Sequence, residues 1–88
     1  MFERVKSVYY TYVAERLSDR ISSIDFIIKL ARDSMEELRN EHPDNYKSLE
    51  EFTQYQSQMW RDILAKQRVQ ENLELVLEKL RLLNPQSS

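Results

Sequence analysis

Glycine and cysteine are both absent from the 88 residues, and proline occurs only at Pro43 and Pro85. A chain of average composition and this length carries about six glycines, which serve tight turns, helix C-caps and backbone that approaches a phosphate closely. Their absence excludes the glycine-rich phosphate loops and favours long helices joined by few turns. Without cysteine there is neither a disulfide framework nor a thiolate zinc site to support a small core. A chain this short buries only roughly 60–65% of the surface its unfolded form exposes, so oligomerisation is the remaining common remedy for a thin core. Long apolar runs are missing too. The N-terminal stretch MFERVKSVYYTYVAERL is interrupted by Glu3, Arg4, Lys6, Glu15 and Arg16, which leaves nothing of signal-peptide or membrane-span length; a cytoplasmic protein is expected. With 13 bases against 15 acids the formal net charge is −2, which gives no field attracting nucleic acid, and no such partner is expected.

What the chain does have is helical periodicity. Tyr10, Ala14, Leu17, Ile21, Ile24, Ile28, Ala31, Met35 and Leu38 follow one another in steps of four and three, the spacing of a helix whose seam faces a long antiparallel partner. Phe52, Tyr55, Met59, Val69, Leu73, Val76, Leu80 and Leu83 repeat the rule, interrupted at Asp62 and Lys66, where Ile63 sits beside the seam. Between the stripes lies His42-Pro43-Asp44-Asn45, and the residue before a proline is pushed out of the α region. The expected fold is all-α: an antiparallel helical hairpin with helices over about 2–41 and 46–83, a turn at 42–45 and a frayed tail at 84–88. Ser48-Leu49-Glu50-Glu51 has capping-box spacing, and Asp44 is an equally good N-cap one turn earlier. A competing reading places a break near Ser22 and yields a three-helix bundle. The unbroken phase of the seam through Leu17–Asp25 favours the hairpin.

Few residues offer chemistry. His42 is the only histidine and falls at the turn, so a nucleophile–histidine site has no other base to draw on and a histidine metal cluster has no second imidazole. Asp33, Glu37 and Glu41 form a strip of solvated carboxylates. No catalytic, cofactor or metal residues are expected, and the protein reads as a non-enzyme. Six acids against two bases over residues 34–57 make the tip of the hairpin acidic. Folding at the turn sets Asp62 and Lys66 level with Leu17–Asp25, so Asp19 and Asp25 are expected near Arg61, Lys66 or Arg68.

A second stripe is more informative. Val5, Tyr9, Tyr12, Arg16, Asp19, Ser23, Phe26 and Leu30 also follow helical steps, on the side of the first helix opposite the seam. One apolar face is enough for a two-helix hairpin, so large residues on a second face imply contact with something else. Val5, Tyr9, Tyr12, Phe26 and Leu30, with Trp60 on the second helix, are the candidate partner-binding residues. Leu64, Leu75 and Leu82 form a weaker counterpart. A homodimer forming a four-helix bundle is the expected occupant of this face, with a different protein partner as the alternative.

Residues 27–65, IIKLARDSMEELRNEHPDNYKSLEEFTQYQSQMWRDILA, contain an Ala-x-x-Ser-x-Glu-Glu stretch, a polar turn with proline and a Leu/Gln-rich helix. In composition and order this resembles the helix–turn–helix core of phasins, the granule-coating proteins of polyester-storing bacteria, over less than half of the chain. The resemblance implies an amphipathic coat on an apolar granule or lipid surface. From the residues themselves, the expectation is a non-catalytic interaction module: an adaptor, chaperone or assembly factor.

Overall fold

The run before Pro43 holds no helix breaker, and in the computed structural model, which describes residues 2–83, it forms one 40-residue helix, α1 (Phe2–Glu41). The helix stops just ahead of His42-Pro43. The His42 N–H still donates to the Leu38 carbonyl at 2.8 Å, which closes the last turn. A 3₁₀ turn at Tyr46–Ser48 leads into α2 (Glu50–Leu83), a helix of 34 residues. The tail expected over 84–88 lies outside the described residues.

The second helix therefore begins at Glu50, later than the position near 46 read from the sequence. Residues 45–49 satisfy their own backbone first: the Ser48 N–H donates to the Asn45 carbonyl at 3.0 Å and the Leu49 N–H to the Tyr46 carbonyl at 3.2 Å. The Ser48 hydroxyl donates to the same Asn45 carbonyl at 2.8 Å. Leu49 takes the N-cap geometry, with extended backbone (φ −73°, ψ 132°) and a carbonyl that accepts the Thr53 N–H at 3.3 Å. The tighter turn also brings the Tyr46 ring edge-on to Phe52, with centroids 5.2 Å apart. Glu50 and Glu51 then fall in the first turn of α2, where a negative charge suits the helix dipole.

α1 and α2 pack antiparallel along their length. The Lys66 ammonium lies 2.6 Å from the Asp25 carboxylate, and the Lys79 ammonium sits 5.5 Å from the centroid of the Tyr10 ring, which fixes the relative height of the helices at two points. Every stripe position of α1 from Tyr10 to Leu38 is buried or half-buried, as are the stripe positions of α2 apart from Tyr55, which is just exposed. α1 runs unbroken through Ser18–Asp25, so the three-helix alternative with a break near Ser22 is not adopted. With no proline, glycine or phase slip there, nothing rewards leaving the helix.

Among the described residues only Ile28, Ala31 and Val69 are buried hydrophobics. Fully burying a Val or Ile side chain contributes about 1.5–3 kcal/mol, so much of the stabilisation must come from half-buried residues. The seam is also interrupted by polar side chains. Asp62 Oδ1 accepts a hydrogen bond from Gln58 Nε2 at 3.1 Å, whereas its Oδ2 is buried with no partner. The chain measures 64 × 19 × 14 Å with a radius of gyration of 19.2 Å, against about 12 Å for a compact domain of this length. It is a rod. Among the described residues no helix is long and apolar enough to cross a membrane.

Candidate interaction surface

An α-helix repeats every 3.6 residues, so side chains three and four apart share a face. On the outer face of α1 this rule lines up two apolar groups. Val5, Tyr9 and Tyr12 lie near the open end of the hairpin, and Phe26 and Leu30 lie at mid-height. All five are exposed, Phe26 to 62% and Leu30 to 49%. Val8 joins the first group and Ile27 the second, also exposed. Neither was singled out in the sequence reading, although Val8 stands three residues after Val5 and Ile27 three before Leu30, and the same spacing rule finds both.

The two groups are separated. Arg4, Val5, Val8 and Tyr9 line a shallow hollow of about 460 Å³. The next hollow along the helix is lined by Tyr12, Val13 and Leu17 as well as Arg16, Asp19, Arg20 and Ser23, and the outer-stripe positions among these, Arg16, Asp19 and Ser23, are polar. The Arg16 guanidinium donates to the Tyr12 hydroxyl at 3.1 Å and lies 5.8 Å from the centroid of its ring. The outer stripe is thus apolar at two stations with a polar interval between them.

On α2, Trp60 and Leu64 are exposed to 57% and 56%. The Asp25–Lys66 and Tyr10–Lys79 contacts set the register, and it places Trp60 level with Leu30 and Leu64 level with Phe26. Large apolar side chains are therefore exposed at mid-height on both helices, each pair directed away from the seam on its own side of the hairpin. Leu75 and Leu82 are exposed further along α2, as is Leu77, which the sequence reading left out.

The polar groups are arranged as a solvated surface. His42, Asp33, Glu37 and Glu41 are all exposed, and no group of three or more His, Cys, Asp or Glu side chains is gathered to hold a metal ion among the described residues. Of the bases expected near Asp25, Lys66 makes the contact. Arg81 forms a two-pronged bridge to Glu78, Nε to Oε2 at 3.2 Å and Nη2 to Oε1 at 2.5 Å. That bridge lowers the Glu78 carboxyl below its ordinary value and raises the Arg81 guanidinium.

No protein-family model, curated protein or solved structure matches the chain. The functional reading therefore rests on the exposed apolar stations and on the shape that leaves them uncovered.

Proposed function

We propose that the chain is a non-catalytic helical interaction module of the cytoplasm, an adaptor, chaperone or assembly factor, that works as a homodimer. In this reading the outer face of α1 closes against a second copy to make a four-helix bundle, with Val5, Tyr9, Tyr12, Phe26, Leu30 and Trp60 as the anchoring side chains. The observation that carries it is the set of large apolar side chains left exposed on a rod with so few buried residues. The accessible surface of 7325 Å² exceeds the about 5,500 Å² usual for a folded chain of this mass by roughly 1,800 Å². A stable interface takes about 800 Å² from each partner, less than this excess of total surface, polar and apolar, that the rod shape exposes. Trp and Tyr anchors are also the residue types that dominate interface energetics.

Light scattering and sedimentation on the free chain test this reading. In about 1 M salt, where exposed ion pairs are screened, the expected mass at micromolar concentration is that of a dimer, and Phe26→Asp is expected to lower it toward the monomer with helicity retained. A wild-type chain that stays monomeric over the whole accessible concentration range sinks the homodimer. If that monomer adsorbs to oil or polyester droplets and Phe26→Asp does not, the coat implied by the phasin resemblance takes its place.

A further inference from the structure

The tip of the hairpin, acidic by composition, is divided into two sides of opposite charge. On one side a groove of about 640 Å³ is lined by Arg32, Arg39 and Lys47 around Tyr46 and Phe52, with Glu36 as its one acid. The Arg39 and Lys47 charges lie 5.7 and 5.9 Å from the centroid of the Tyr46 ring. None of the three cations is in an ion pair among the described residues, where the bridges are Lys66–Asp25 and Arg81–Glu78. A second hollow at the tip, about 220 Å³, is lined by Glu37, Glu41 and Glu51 with Leu38 and Tyr55. Its α1 residues stand two positions beyond those of the groove: Arg32 against Ser34, Arg39 against Glu41. Two residues are about 200° around a helix, so the two hollows flank the seam on opposite sides.

We propose that the tip is a self-complementary contact: the basic, aromatic groove of one copy receives the acidic flank, Glu37, Glu41 and Glu51, of a second copy. Three carboxylates face three guanidinium or ammonium groups, and Tyr46 and Phe52 supply the apolar floor. A second copy is the occupant favoured by the charges because it brings the matching acids at the same end of the same rod. The two halves lie on opposite sides of each tip, so the contact is head-to-tail and propagates into a ring or a stack instead of closing as a pair. It uses no residue of the outer face of α1 and goes beyond the dimer proposed above. Exposed ion pairs are individually weak and screened by salt, so the association is labile and strengthens as ionic strength falls.

Two triple variants test it. Arg32→Glu with Arg39→Glu and Lys47→Glu makes both sides of the tip acidic; Glu37→Lys with Glu41→Lys and Glu51→Lys makes both basic. The wild type is expected to show a larger sedimentation mass at about 0.1 M salt than at 1 M, where the screening length falls from about 10 Å to about 3 Å. Each triple variant alone is expected to lose that difference, and an equimolar mixture to recover it. Trp60, the only tryptophan, lies one turn beyond the groove residue Gln56, and its emission is expected to shift on mixing. A mixture that behaves as the sum of its parts, with both variants as helical as the wild type, overturns the proposal. So does a wild-type mass independent of salt. Should the triple variants unfold, Arg39→Gln and Glu41→Gln serve instead, and each must reduce the salt-dependent mass. Hexaglutamate that binds the wild type and leaves its mass unchanged would assign the groove to an acidic segment of another protein, which also overturns the self-contact.

Discussion

At the scale of single residues, the seam separates side chains that build the fold from those that interrupt it. Ile28 is buried at the centre of α1, and Ile28→Ala is expected to destabilise by about 2–5 kcal/mol, the usual range for such truncations. Ile24 is half-buried, so Ile24→Ala is expected to cost less in the same urea titration. Asp62 points the other way. Its Oδ2 is buried without a partner, and an unsatisfied buried polar group costs about 1–3 kcal/mol. Asp62→Leu should therefore raise the melting temperature, by about 4–8 °C for each kcal/mol recovered in a chain of this size; a lowered value would show that the carboxylate is needed where it sits. The stripe from Tyr10 to Leu38 was legible in the sequence because its steps of four and three are satisfied by apolar residues at every position. The environment of Asp62 was half legible. Its place in the seam followed from spacing, whereas the burial of one oxygen depends on how α1 passes over it.

At the scale of elements, the continuity of α1 is the statement most open to a direct test. If Ser22 capped a new helix, residue 23 would be its first position, where proline is tolerated. Inside a continuous helix, Ser23→Pro removes a hydrogen bond and clashes with the preceding turn, costing about 3 kcal/mol or more. The uninterrupted helix Phe2–Glu41 predicts the large effect, read as lost helicity and an early unfolding midpoint. Both helices were legible from their periodicity and from Pro43, but the start of α2 was not. Ser48-Leu49-Glu50-Glu51 spells a capping box, and the Ser48 hydroxyl is spent on the Asn45 carbonyl. Sequence spacing identifies groups able to cap, and the connecting turn decides which are available. The basic groove was hidden for a similar reason. Its cations are scattered among more numerous acids, and the sorting appears only once α1, the 3₁₀ turn and α2 are set side by side.

At the scale of the whole molecule, the proposed association would supply part of the stability of a rod with an uncovered apolar face. Mass action then makes the melting temperature rise with protein concentration, and a scan across two decades of dilution checks this. A midpoint that does not move would mean that the hairpin holds alone. The antiparallel register also has a kinetic side. Residues paired next to the turn, such as Tyr46 and Phe52, are separated by a few positions, whereas Tyr10 meets Lys79 only after nearly the whole chain has been gathered. Each doubling of a closed loop adds about 0.6 kcal/mol of chain entropy to be overcome, so the cheapest path begins at the turn and zips toward the termini. Substitutions near Phe52 should slow folding, and those near Tyr10 should mainly speed unfolding. The open end, where Val5, Val8 and Tyr9 stand exposed, is then the last part to form and the first to open. In hydrogen exchange its amides should lose protection well before those around Ile28 and Val69.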